Sequence, residues 1–151
     1  MFDQKKYQQA IIFDFMRTLY DPDSHILVDG ALEILEYLRQ RPFKLFVIGR
    51  GSASRQKLLE RHALSKYFED IYFSEHKDVA LFQKCVDRSH LPPEDFFVVG
   101  DRVRSEISIG NDMGMTTIWL RNGRFAGEEP RTDMEEPDHT IRRLSDLQEI
   151  L

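Results

Sequence analysis

The sequence predicts an α/β protein with a doubly wound, Rossmann-like architecture, in which helices cover both faces of a parallel sheet of about five strands. Short apolar segments of strand length recur along the chain, and amphipathic segments with helical spacing separate them. Parallel neighbours need a crossover of a dozen or more residues, which is usually a helix. Strands that alternate with helices therefore indicate a three-layer sandwich.

Five apolar segments are the candidate strands. The first, Ile11–Phe15, reads IIFDF, as expected of a strand that a parallel sheet buries on both faces. The others are Lys44–Ile48, Asp70–Phe73, Phe96–Val99 and Thr117–Leu120. Packing in the core explains the aromatic residues of the last two segments without a binding role.

Apolar residues at helical spacing mark the helices between these strands. The three sets are Leu32, Leu35 and Leu38, then Leu58, Leu59 and Leu64, then Leu81, Cys85 and Val86. The segment Arg121–Asp138 is rich in Gly, Pro and charge and is expected to be a loop. A short closing helix over Leu144–Leu151 follows, with room for a brief strand before it.

Length and composition favour one domain, residues 1–151, with a single core. The net charge of −5 gives no overall attraction to nucleic acid. The lone cysteine, Cys85, is expected to be a small buried hydrophobe. The N-terminal segment lacks an apolar stretch of signal-peptide length, and no run approaches the roughly 18 apolar residues of a membrane span. We therefore expect a cytoplasmic protein.

Three charged positions lie at or just after the carboxyl ends of predicted strands, where ligands bind in open parallel sheets. Asp14 lies in the first strand, where a buried charge needs a partner, although alone it is better explained as a turn cap. Asp101 follows the fourth strand, with Glu106 five residues later, and Lys77 follows the third strand. Together the three carboxylates would form an oxygen-rich site for a hard cation such as Mg²⁺, with Lys77 offsetting their charge.

The order of these residues resembles the motifs of the haloacid dehalogenase superfamily. The first motif of that family is a strand followed by Asp-x-Asp-x-Thr, and here it reads Asp14-Phe15-Met16-Arg17-Thr18. Gly51-Ser52 follows the second strand, Lys77 corresponds to the third-motif lysine, and Gly100-Asp101 with Glu106 corresponds to the acidic fourth motif. The chain is similar to capless phosphatases of this family with an altered first motif.

The resemblance implies a Mg²⁺-dependent phosphohydrolase that forms an aspartyl phosphate. The implied catalytic residues are Asp14 and Lys77, the implied substrate-binding residues are Thr18, Ser52 and Lys77, and the implied metal ligands are Asp14, Met16 through its backbone carbonyl, Asp101 and Glu106. Glu106 departs from the family least, because it keeps its charge and adds one methylene.

Two positions depart from the family pattern in ways that affect turnover. Met16 stands where the family has its general acid/base, and a thioether cannot exchange protons in that role. Gly49 stands where the family has a phosphate-binding Ser or Thr. A slow phosphohydrolase is the favoured interpretation, and a non-catalytic pseudophosphatase that binds phosphate or metal is the alternative. A third interpretation is that Met16 was introduced to trap a complex.

About thirty residues separate Thr18 from Gly49, which leaves no space for a substantial cap. An open site is compatible with a phosphorylated macromolecule, or with a phosphorylated small molecule if another copy of the chain supplies a lid. Two residues of the following loop, Asp21 and His25, are positional candidates for a replacement acid/base, although turn chemistry explains Asp21 better. Four arginines fall near strand ends, where they could line the open site and recognise an anionic substrate, although solvated loop charges are the favoured interpretation: Arg50, Arg55, Arg102 and Arg104.

Overall fold

The protein, described by a computed structural model over residues 8–151, contains eight strands and four α-helices in that part of the chain. The strands are β1 (Gln9–Asp14), β2 (Tyr20–Asp21), β3 (Ile26–Leu27), β4 (Phe43–Arg50), β5 (Asp70–Ser74), β6 (Phe96–Gly100), β7 (Thr116–Leu120) and β8 (His139–Ile141). The helices are α1 (Ala31–Arg39), α2 (Ala53–Arg61), α3 (Val79–Ser89) and α4 (Ser108–Asp112). A π-helical turn, Val103–Ile107, leads directly into α4.

Six strands form one parallel sheet in the order β5-β4-β1-β6-β7-β8. The chain runs outward from β1 through β4 to β5, then returns to pair β6 with the other side of β1. This reversal confirms the prediction of a doubly wound sheet. It also places the carboxyl ends of β1 and β6 side by side, where such folds bind ligands.

Strand β1 is buried on both faces, which explains its continuous apolar run. Ile11 and Phe13 belong to a core cluster that includes the buried side of α1, whereas Ala10 and Ile12 belong to a cluster that includes α3. All four side chains are fully buried. Alternate residues of one strand thus hold helices on opposite faces of the sheet.

Four features differ in detail from the sequence prediction. A sixth strand, β8, fills the place where a brief strand was expected, and the closing segment is a 3₁₀ helix, Leu144–Glu149. Helix α2 ends at Arg61, because Ala63 takes a left-handed conformation, so Leu64 is buried beyond the helix. The loop after β1 holds a small antiparallel hairpin, β2–β3, which no periodic pattern marks.

This hairpin is the only pair of strands between β1 and α1 in the part of the chain that the structure describes, and no cap domain follows it there. Cys85 is buried as expected, and burial raises the pKa of its thiol. None of the helices within residues 8–151 is long and apolar enough to cross a membrane. Residues 1–7, which belong to the segment examined for a leader, lie outside the described residues.

Candidate metal centre and active-site cavity

Three buried carboxylates meet at the carboxyl edge of the sheet. Asp14 is the last residue of β1, Asp101 follows β6, and Glu106 lies in the π-helical turn. Each offers one oxygen, and these oxygens lie within 4.8 Å of one another. The arrangement arises because β1 and β6 are neighbours, so residues 87 positions apart share one edge. The structure therefore brings together the three acidic residues that the sequence singled out.

Lys77 connects two of these carboxylates. Its Nζ lies 2.8 Å from Asp14 Oδ1 and 2.9 Å from Glu106 Oε1, and its side chain is only 10% exposed. Asp78, the next residue, caps α3 by accepting a hydrogen bond from the backbone N–H of Leu81. This cap fixes the chain beside Lys77, which explains how a lysine in a loop reaches a buried site.

Negative charge exceeds positive charge in this cluster. Burial, and then the charge of Glu106, raise the pKa of Asp14 to about 6. Burial together with the charges of Glu106 and Asp14 raises the pKa of Asp101 to about 9. Burial also acts to raise the pKa of Glu106, but the charge and hydrogen bond of Lys77 outweigh it and lower that pKa. One lysine thus does not neutralise three carboxylates.

The residues present fit a divalent cation. Asp101 Oδ2 is buried and has no hydrogen-bond partner among the described residues. A buried oxygen without a donor is costly, and hard cations such as Mg²⁺ prefer carboxylate oxygens. A cation bound here would satisfy that oxygen and compensate the excess negative charge.

Glu106 depends on the missing side chain of Gly100. A Cβ at position 100 would overlap Cγ and Oε2 of Glu106. The backbone N–H of Arg102 donates to the same Oε2 at 3.0 Å, and Trp119 Nε1 donates to the backbone carbonyl of Asp101 at 3.0 Å. Glycine thus provides the space for the longer acid, and sequence reasoning missed the contribution of Trp119.

Gly100→Ala is expected to destabilise the protein by about 1–3 kcal/mol, because the new methyl group must displace Glu106 from Lys77. Glu106→Asp in the same chain should recover part of this loss, since the shorter acid leaves space for the methyl. Thermal unfolding of both single variants and the double variant measures this coupling. Strictly additive effects would contradict the proposed overlap.

A cavity of about 300 Å³ opens above the carboxylates. Its lining residues are Asp14, Met16, Arg17, Arg50, Gly51, Arg55, Lys77, Asp101, Arg102, Ser105 and Phe125. Asp14 and Asp101 are the only acids in this lining, and it includes no histidine. The two candidates for a replacement acid/base, Asp21 and His25, are not among the residues that line this cavity. Asp21 lines a neighbouring cavity and accepts hydrogen bonds from the backbone N–H of Asp23 and the hydroxyl of Ser24. His25 is exposed.

The two predicted hydroxyl groups occupy different surroundings. Thr18 is buried, and its hydroxyl lies 3.5 Å from Asp14 Oδ2. Ser52 is exposed, lies 3.3 Å from the Ser54 hydroxyl, and is not among the residues that line the cavity. A Cβ at Gly49 would lie 2.7 Å from the Phe73 ring, so this ring occupies the space that a Ser or Thr side chain would need.

The four arginines near strand ends divide between the two interpretations that the sequence left open. Arg50, Arg55 and Arg102 line the cavity, whereas Arg104 is exposed and contacts the backbone carbonyl of Glu129. Arg17 also lines the cavity, although sequence reasoning assigned it no role. Its left-handed backbone conformation, which a sequence pattern does not reveal, belongs to the turn after β1.

The fold and this site define a class of proteins: doubly wound α/β proteins that gather carboxylates and a lysine where the strand order reverses. A family model described as HAD-hydrolase-like matches residues 77–147. A glyceraldehyde 3-phosphate phosphatase of Methanopyrus kandleri is 32% identical over 127 residues, which are 80% of this chain and 54% of that protein. The chain belongs to the haloacid dehalogenase-like superfamily.

A second curated relative agrees with this assignment, and a solved structure agrees with the fold. A pyrimidine 5′-nucleotidase of Escherichia coli is 30% identical over 129 residues, which are 81% of this chain and 55% of that protein. The crystal structure of the HAD-hydrolase YfnB from Bacillus subtilis, bound to magnesium, superposes with a TM-score of 0.81 at 17% identity, covering 96% of this chain and 99% of that chain. This chain spans about half the length of the curated relatives it matches.

Proposed function

We propose that this chain is a Mg²⁺-dependent phosphohydrolase that acts on phosphomonoesters or acyl phosphates through an aspartyl phosphate on Asp14, and that it is slow. The observation that carries the proposal is the position of Asp14: it lines the cavity, 2.8 Å from Lys77 and beside two further buried carboxylates. A carboxylate that acts as a nucleophile needs access to the substrate cavity and a positively charged neighbour, and Asp14 has both.

Asp14, Asp101 and Glu106 would hold Mg²⁺ through their carboxylates, with the backbone carbonyl of Met16 as a further ligand by resemblance to the family. When bound, the cation offsets negative charge on the transferring phosphoryl group. Lys77 adds a fixed positive charge between Asp14 and Glu106. The unpartnered oxygen of Asp101 supports this assignment of ligands.

The reaction takes place in two displacements at phosphorus. A carboxylate oxygen of Asp14 forms a bond to phosphorus, and the bond to the leaving oxygen breaks with its electron pair on that oxygen. Water then attacks the aspartyl phosphate, which releases inorganic phosphate and restores the Asp14 carboxylate.

Two proton transfers accompany the hydrolysis of an alkyl phosphomonoester: one to the leaving oxygen and one from the attacking water. General acid/base groups typically contribute about 10²–10⁴-fold to the rate, and Met16 cannot act as one. No other described residue that lines the cavity is a histidine or a carboxylate outside the cation site. We therefore expect slow turnover of substrates with poor leaving groups.

A pseudophosphatase is the second candidate, and the changes at both Met16 and Gly49 favour it. Such a module would bind phosphate and metal without turnover. For either function, the open cavity fits a phosphorylated macromolecule, or a phosphorylated small molecule with a second copy of the chain as a lid. A cytoplasmic location belongs to the same proposal.

Hydrolysis of p-nitrophenyl phosphate tests the proposed function. We expect slow release of p-nitrophenol that requires Mg²⁺ and is lost in Asp14→Asn, because the amide is not a nucleophile. The matched control is Asp23→Asn, which changes an exposed acid outside the cavity that contains Asp14. Calorimetric titration with Mg²⁺, in the presence and absence of inorganic phosphate, measures binding independently of turnover.

Binding of Mg²⁺ and phosphate without any hydrolysis would favour the pseudophosphatase. A rate that survives Asp14→Asn or chelation of the metal would contradict both candidates.

A further inference from the structure

We propose that Arg55 takes the place of the missing general acid, and that it directs the site to phosphoric anhydrides, whose leaving group is itself an acid anion such as a carboxylate or a phosphate. This inference rests on the proposed function and names its substrate class. Its basis is the contact between Arg55 and Met16, together with three arginines around one cavity that form no ion pair within the described part of the chain.

The guanidinium of Arg55 lies beside the position of the missing acid. Arg55 is in the first turn of α2, is half-buried, and its Nη1 donates to Met16 Sδ at 3.7 Å. It lines the same cavity as Asp14. A fixed positive charge thus lies beside Met16. In a complete first motif, the side chain at this position would face the leaving oxygen.

The path of the Arg55 side chain depends on Gly51. A Cβ at position 51 would overlap Cγ of Arg55 and would lie 2.9 Å from its Nε. Gly51 also has a φ of 141°, which other residues rarely adopt. The turn after β4 is therefore shaped so that Arg55 crosses it toward the cavity.

Three arginines that line the cavity form no ion pair among the described residues, although hydrogen bonds, and to a smaller degree the charge of Arg17, lower the pKa of Asp21. Arg17, Arg50 and Arg55 form no ion pair within the described part of the chain, whereas Arg102 binds Glu128 at 2.8 Å. Nε of Arg17 is buried and has no hydrogen-bond partner among the described residues. Buried donors are rarely left unsatisfied, so this atom indicates an anionic ligand.

An arginine can stabilise a leaving anion but cannot protonate it. Guanidinium groups stay charged at all physiological pH values, so Arg55 offers charge and N–H donors only. An alkoxide must gain a proton as it leaves, and no histidine or carboxylate outside the cation site lines the cavity among the described residues to supply it. A carboxylate or phosphate leaves as a stable anion, and two or three arginines can bind its oxygens.

The first displacement on an anhydride then balances without a proton. Asp14 bonds to phosphorus, the P–O bond to the acyl or phosphoryl oxygen breaks, and the electron pair stays on the departing anion. In the second displacement the leaving group is the Asp14 carboxylate, which also needs no proton, and the attacking water loses its proton to solvent.

Rates for acetyl phosphate, inorganic pyrophosphate and glycerol phosphate test this proposal with Mg²⁺ present. We expect kcat/KM of the wild type to be about 10²–10⁴-fold higher for an anhydride than for glycerol phosphate, since only the monoester needs the absent acid. Arg55→Gln should lower the anhydride rate by about 10²-fold. With glycerol phosphate, the loss of rate in Arg55→Gln should be smaller than the loss with an anhydride by about tenfold or more. The alkoxide takes a proton from water as it leaves and therefore develops little charge for Arg55 to stabilise.

Arg61→Gln, which changes an exposed arginine of the same helix outside the cavity, is the matched control and should leave all rates unchanged. Activity on acetyl phosphate alone or pyrophosphate alone would support the proposal and identify the anion as carboxylate or phosphate. Equal losses on all substrates in Arg55→Gln, or faster turnover of glycerol phosphate by the wild type, would overturn it. Activity that survives Asp14→Asn would instead overturn the proposed function.

Discussion

Met16→Asp is expected to raise the turnover of alkyl phosphomonoesters such as glycerol phosphate by about 10²–10⁴-fold, the usual contribution of one general acid/base. The new carboxylate would face the cavity two residues after Asp14, where Met16 now contacts Arg55. It could protonate the leaving oxygen and activate the attacking water. Steady-state rates with glycerol phosphate and Mg²⁺ measure the gain.

Met16→Asn is the matched control, because it has the same shape as the aspartate variant and cannot exchange a proton in this role. The kcat/KM for acetyl phosphate should rise much less than the kcat/KM for glycerol phosphate, since kcat/KM reports the first displacement and the acetate leaving group needs no proton there. An equal rise in the asparagine variant, or no rise in the aspartate variant, would contradict the account of a missing acid.

Lys77→Met is expected to destabilise the metal-free protein by about 3–5 kcal/mol, the cost of removing one partner from a buried ion pair. Asp14 and Glu106 would then lose their nearest positive charge while remaining buried, with side chains 5% and 0% exposed. Chemical unfolding monitored by circular dichroism measures the loss of free energy of unfolding.

Mg²⁺ should stabilise the Lys77→Met variant more than the wild type, because three carboxylates then face the cation without a competing lysine. Lys57→Met, which changes an exposed lysine of α2, is the control and should have little effect. A loss of stability that Mg²⁺ leaves unchanged would argue against a cation site at these carboxylates.

The sequence predicted the central cluster because topology alone brings it together. Parallel strands end at one edge, so a carboxylate after β1 and another after β6 must be close once the strand order is known. The position of Lys77 after β5 likewise predicted that it would join these carboxylates.

The surroundings of the cluster depend on local backbone conformation, which periodic patterns do not encode. Gly51 turns the chain so that Arg55 enters the cavity while Ser52 stays exposed. Strands β2 and β3 have two residues each, too few for an alternating pattern. The packing of Phe73 against Gly49 joins residues from separate strands, and only their register reveals it.

The hydrogen bond from Trp119 to Asp101 makes this site suitable for optical detection. The chain contains one tryptophan, so its indole emission comes from a single place, 3.0 Å from the backbone of a candidate cation ligand. A shift of the Asp101 backbone would change the hydrogen bond that its carbonyl accepts from the indole. Stopped-flow fluorescence can therefore follow events at this site in the unlabelled protein, on timescales that steady-state assays do not reach.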